Sequence, residues 1–150
     1  MTADNPRVLV PPALMMAGLL GAGLAIEGGP TASGIVLVAA LVVGLAGLGL
    51  IAAAFGLFRQ KQTRAEPWRE ASVLVAAGPY RFTRNPMYLG MTLVGLAVAI
   101  GLTSLAAALF ALVGALAMDR IVIRREEAYL MRRFGDDYRT YVGRAPMVMT

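Results

Sequence analysis

From Met87 to Met118 the chain runs for 32 residues without a charged side chain. As one α-helix that stretch would be about 48 Å long at roughly 1.5 Å per residue. The hydrocarbon core of a bilayer is only about 30 Å thick. Two short helices turning near Gly101-Leu102-Thr103-Ser104 fit that thickness, and one straight helix does not. Two other apolar stretches precede it. One runs from Val8 to Ile26 with Pro11 and Pro12 near its start, where proline is tolerated in a helix; the other is Ile35 to Phe58. With 58% hydrophobic and 15% charged residues, the chain is more apolar than a water-soluble domain of its size.

The positions of the charges choose between hairpin and single helix. Of 14 Lys and Arg residues, Arg7 precedes the first apolar stretch, six lie between Arg59 and Pro86, and seven follow Met118. The turn Glu27 to Gly34 carries none. A hairpin over Met87–Met118 puts all 14 on one side of the membrane, whereas a single helix sends seven of them across, against the positive-inside tendency. The expected fold is therefore all-α and integral to the membrane. It is a single domain over residues 1–150 with about four transmembrane helices: 8–26, 35–58, 87–101 and 104–118. Both termini are expected on the cytoplasmic side of a plasma (inner) membrane, with a cytoplasmic loop at 59–86 and an amphipathic helical segment at 119–150. A cleaved leader is the competing reading of the first stretch, and its single Arg7 weighs against that.

Small residues recur four apart: Ala40 with Gly44, Ala97 with Gly101, and Ala107 with Ala111 and Ala115. Such rows let helices approach closely in lipid. After Met118 the pattern changes to a charged helix on which Ile123, Leu130 and Phe134 share a face. Gly135 is expected to stop it, and Asp136 or Asp137 to cap a short last helix carrying Tyr138 and Tyr141.

The chain has no Cys and no His, which excludes thiolate chemistry, a histidine base and the usual zinc sites. A net charge of +5 invites a nucleic-acid reading, but the basic residues flank apolar runs and so read as membrane anchors. What polarity there is gathers at Gly78-Pro-Tyr-Arg-Phe-Thr-Arg-Asn-Pro-Met-Tyr-Leu-Gly90 and at Arg124-Arg-Glu-Glu-Ala-Tyr-Leu130. A hairpin brings these two stretches together at one membrane surface. Read without further context, Tyr80, Phe82 and Tyr88 also suit an interfacial aromatic belt, and Arg81, Arg84, Arg124 and Arg125 suit topology anchors.

The order R-N-P-M-Y-L-G, apolar hairpin, R-R-E-E, then F-G-D-D-Y-R-T-Y resembles the isoprenylcysteine carboxyl methyltransferase and phospholipid methyltransferase group, over Gly78 to Pro146. The resemblance implies an integral membrane methyltransferase that uses S-adenosylmethionine and acts on a lipophilic substrate. It assigns Tyr80, Arg84, Asn85, Pro86 and Tyr88 to the cofactor pocket, and Glu126 and Glu127 to the cofactor's polar groups. Gly47 and Gly49 correspond to a glycine pair on the preceding helix. Position 85 is Asn where better-known members have His. Arg120 and Arg124, four apart on one helix face, suit a substrate carboxylate. A carboxylate, thiol or amine head group all stay open as methyl acceptor, with membrane lipids the only other partners and no metal. The alternative from another class is a small four-helix transporter or scaffold. A transporter calls for an ionisable group within a span, and Met87–Met118 has none.

Overall fold

The computed structural model describes residues 11–62 and 72–145. Val8 to Val10 of the expected first span lie outside these residues, as do Arg64, Trp68 and Arg69 of the loop and the chain end from Pro146. Among the described residues every regular element is helical and no strand occurs. The helices are α1 Pro12–Ile26, α2 Gly34–Gln60, α3 Pro86–Gly101, α4 Leu105–Met118, α5 Arg124–Phe134 and α6 Asp136–Val142. A 3₁₀ turn, Gly78–Arg81, leads into α3, and a π turn, Asp119–Ile123, joins α4 to α5.

Two helical runs are long and apolar enough to cross a membrane: Gly34–Gln60 and the continuous run Leu105–Phe134. Pro12–Ile26 and Pro86–Gly101 are shorter apolar helices. Sequence reading separated a span ending at Met118 from a charged helix beyond it. The structure instead carries the helix straight on, because no Gly or Pro interrupts Asp119 to Phe134 and the π turn absorbs the extra residue.

Small residues set the packing. On α2 the buried positions are Ala40, Gly47 and Ala54, seven apart, while Ile35, Val38, Leu41, Leu45 and Leu48 point outward. This narrow stripe lies against α3. A Cβ at Gly90 would stand 2.6 Å from Ile51 Cγ1 and 2.7 Å from the Gly47 carbonyl oxygen, so only glycine permits that approach. α1 packs on α4 and α3. Its Gly23 meets the α4 backbone at Ala107, and its Met16 fills the space beside Gly95 and Gly114. The buried row on α4 is Ala107, Ala111, Gly114 and Met118, so Gly114 takes the place expected of Ala115.

The α3–α4 turn spans Leu102–Ser104 and is tied to the α1–α2 turn. Ser104 Oγ accepts from the Ala107 amide at 3.0 Å and donates to the Glu27 carbonyl. The Glu27 carboxylate accepts the Ala106 amide at 2.8 Å, so both groups satisfy open donors at the α4 N-terminus. Thr103, held at φ 45° by a 2.8 Å hydrogen bond to the Pro30 carbonyl, closes the junction.

Candidate functional site

At the opposite end of the bundle, the 3₁₀ turn, the start of α3, α5 and α6 meet beneath the end of α2. Gly78 begins this arrangement with φ 57°, and a Cβ there would lie 2.9 Å from Leu57 Cδ1. Tyr80 then packs edge-on against Phe58, with ring centroids 5.7 Å apart. The Tyr141 hydroxyl donates to the Tyr80 carbonyl at 2.8 Å and locks α6 onto the turn. Gly135, at φ 53°, makes the bend from α5 to α6. It is also the residue before α6, and neither Asp136 nor Asp137 caps that helix with its side chain; Asp136 pairs with Arg139 instead. That corrects the capping expected from sequence.

Arg84 Nη1 meets Glu127 Oε1 at 2.8 Å across 43 residues of chain, with 13% and 21% of the two side chains exposed. The Tyr138 hydroxyl interacts with both partners. Beside the pair are two buried donors without a partner among the described residues, Arg84 Nε and Asn85 Nδ2. Asn85 stands at the N-cap of α3, where an Asn side chain ordinarily accepts a backbone amide, yet it makes no capping bond. Its backbone N–H donates to Thr83 Oγ1 at 3.3 Å. Pro86, fully buried, occupies the first helical position, and Tyr88, two residues further on, hydrogen-bonds the Glu126 carboxylate.

All five tyrosines of the chain, Tyr80, Tyr88, Tyr129, Tyr138 and Tyr141, are buried. The belt reading of Tyr80 and Tyr88 therefore fails, since belt aromatics face lipid and water. Phe82, 75% exposed, is the one that suits it. Burial acts on the ionisable groups here in one direction. It is the largest cause lifting the Glu126 carboxyl to about 7, reinforced by the Glu127 charge and opposed by the hydrogen bond to Tyr88. Glu126 keeps some exposed surface, yet protein atoms enclose its carboxyl group. Glu127 is also raised by burial, and Arg84 restrains the rise. The Tyr141 hydroxyl is pushed up to about 12, again mainly by burial.

The remaining expected residues divide. Gly47 lies buried in the α2–α3 contact, whereas Gly49 is exposed with nothing near a Cβ position. Arg120 and Arg124 do share a face, but both reach a residue that sequence reading passed over. Arg120 Nε lies 3.2 Å and Arg124 Nε 3.6 Å from Oδ2 of Asp119. Asp119 is 2% exposed, and its Oδ1 has no partner among the described residues. A lone acid directly after an apolar run was the available signal. Tyr138 and Tyr141, read in sequence as residues of a last helix and as part of the F-G-D-D-Y-R-T-Y motif but not as site residues, are buried beside the Arg84–Glu127 pair; three-residue spacing puts them on one face.

The site thus combines buried carboxylates, buried aromatic rings and two unpartnered buried donors at the edge of an apolar helical bundle. No group of acids able to hold a metal ion occurs among the described residues. No curated protein and no solved structure matches the chain. The family model for phospholipid methyltransferase matches residues 35–137, which takes in α2 from its second residue, α3 to α5, and Arg84, Asn85, Glu126 and Glu127, and ends one residue before Tyr138. Spanning about two-thirds of the sequence, that match shows that the chain belongs to the phospholipid methyltransferase family, whose members are methyltransferases.

Proposed function

We propose that the protein transfers a methyl group from S-adenosylmethionine to a lipophilic acceptor at the cytoplasmic face of a plasma (inner) membrane, with α1 to α4 as four spans. The observation that carries this reading is the Arg84–Glu127 pair with Arg84 Nε and Asn85 Nδ2 open beside it. Open donors suit a carboxylate, while Glu126, Glu127 and the tyrosine faces suit positive charge. S-adenosylmethionine presents both, a carboxylate together with an ammonium and a sulfonium. When bound, it supplies an electrophilic methyl group.

The chain's residues then have distinct tasks. Arg84 and Asn85 hold the anionic end, and Glu126 and Glu127 offset the desolvation of the cations. Tyr80, Tyr88, Tyr138 and Tyr141 exclude water, and Pro86 fixes the start of α3. Gly47 brings α2 close to α3 near the pocket, and Gly49 lies on the same helix facing outward. Arg120 and Arg124 stand at the rim, where the acceptor's head group arrives. Methyl transfer needs alignment and dryness more than acid–base groups, so positioning supplies most of the rate.

Calorimetric titration of the purified protein with S-adenosylmethionine in a lipid-like environment tests the assignment. Saturable binding is expected, weakened at least tenfold in Arg84→Ala and Glu127→Ala. Absence of binding by the unaltered protein overturns the methyltransferase reading. Binding indifferent to both changes overturns the site. A reporter fused after Thr150 is expected in the cytoplasm, and its appearance outside refutes the topology.

A further inference from the structure

Excluding water asks only for the ring of Tyr138, yet its hydroxyl is placed to do more. Arg84 meets Glu127 through Nη1 at 2.8 Å, and its Nε is buried with no partner among the described residues. A guanidinium and a carboxylate left to themselves favour a fork of two parallel bonds, and the side-on form of that fork spends Nε. Here the side-on fork is not made. The Tyr138 hydroxyl hydrogen-bonds both members, accepting from Arg84 and donating to Glu127, so it takes up a position on each. Burial, reinforced by the Glu127 charge, holds that hydroxyl well above the ordinary tyrosine value, so it stays protonated and able to donate. The ring itself is held in place. It is 2% exposed, its centroid lies 6.0 Å from that of Tyr141, and the Tyr141 hydroxyl ties α6 to the Tyr80 carbonyl at 2.8 Å.

We propose that Tyr138 is a positioning residue whose hydroxyl bridges Arg84 and Glu127, keeps the pair from closing side-on, and so keeps Arg84 Nε open for the carboxylate of the methyl donor. This rests on the methyltransferase reading above and deepens it by naming what selects the donor's amino-acid end. Tyr138 acts through Arg84 and not on the methyl group. Without the hydroxyl, Arg84 and Glu127 satisfy each other, the side-on fork forms, and Nε is spent on Glu127. The donor's carboxylate is then left with Asn85 Nδ2, a neutral donor and therefore the weaker partner. Its ammonium and sulfonium keep Glu126 and the tyrosine faces, so the loss falls on one end of the molecule only.

The test uses the full chain in phosphatidylcholine vesicles, titrated by calorimetry with S-adenosylmethionine and with decarboxylated S-adenosylmethionine. The second compound keeps the ammonium and the sulfonium and lacks the carboxylate. The unaltered protein should bind the complete donor about tenfold or more tightly than the decarboxylated one, as a charge-assisted bond to the carboxylate requires. In Tyr138→Phe that preference should shrink to about twofold, with the complete donor weakened and the decarboxylated donor unchanged. The melting temperature of Tyr138→Phe should stay within about 2 °C of the unaltered protein, because the pair closes on itself. A ring that only fills space gives a different pattern, in which both donors weaken together. That pattern overturns the proposal, as does a preference left intact in Tyr138→Phe or a variant that loses its fold. Equal affinity of the two donors for the unaltered protein overturns it with no variant at all. Failure of the unaltered protein to bind either compound instead overturns the underlying methyltransferase reading.

Discussion

Replacing Arg84 by Ala isolates what the Arg84–Glu127 pair contributes. At 2.8 Å, and with an effective dielectric constant of about 20, the Coulomb attraction is about 6 kcal/mol. Much of that is offset by the desolvation of two ions. Truncating one partner leaves the desolvation of Glu127 standing, which for a buried pair costs about 3–5 kcal/mol. Glu127 keeps about a fifth of its side chain exposed and retains Tyr138, so the loss is set near the lower end, about 3 kcal/mol. The pH dependence has a definite sign. Burial already raises the Glu127 carboxyl and Arg84 restrains the rise, so removing Arg84 raises it further. A proton on Glu127 then relieves the uncompensated charge, and the destabilisation should shrink as pH falls. Denaturation in detergent micelles, followed by circular dichroism, measures both effects. Arg84→Ala/Glu127→Gln should be more stable than Arg84→Ala alone. Arg84→Lys should keep most of the stability yet lose about tenfold in donor affinity, because a lysine cannot replace the open Nε. A loss under about 0.5 kcal/mol in Arg84→Ala, or strict additivity in the double variant, refutes the reasoning.

The raised Glu126 carboxyl makes a separate pH prediction. A folded value of about 7 against an ordinary 4.5 gives stability that is fully present below about 4.5 and lost as pH rises through 7, by about 3 kcal/mol. Glu126→Gln should flatten that decline in a pH series of melts. Gly90→Ala should separate α2 from α3 and cost about 1–3 kcal/mol, whereas Gly49→Ala, with open space around it, should be neutral in the same assay. Ser104→Ala removes the α4 cap and its bond to the Glu27 carbonyl, so a loss of about 1 kcal/mol with unchanged S-adenosylmethionine affinity is expected from melts and calorimetry.

The break between α3 and α4 falls within the Gly101–Ser104 stretch chosen by charge counting, and the apolar character of the helices needed only composition. Glu27 shows the limit. In sequence it is an acid in a short turn; in space its carboxylate reaches an amide 79 residues away at the head of α4. Tyr80 and Tyr88 looked equally suited to a lipid interface and to a pocket, and only their burial separates the two. Asp119 carried no pattern beyond being the first charge after an apolar run.

Helix length, hydropathy and the placement of charges are local properties, and weighed against the thickness of a bilayer they need no tertiary contact. The sequence by itself therefore determined an all-helical membrane protein, a turn in the Met87–Met118 run, and one polar pole built from Gly78–Gly90 and Arg124–Leu130. Which side chains face one another at that pole depends on how each helix is rotated about its axis, and one residue changes that rotation by about 100°. The π turn at Asp119–Ile123 inserts such a residue midway along a continuous 30-residue helix. Its phase shift, together with the packing of small residues above it, turns Glu127 to Arg84 and Glu126 to Tyr88. That was decided by the tertiary structure alone.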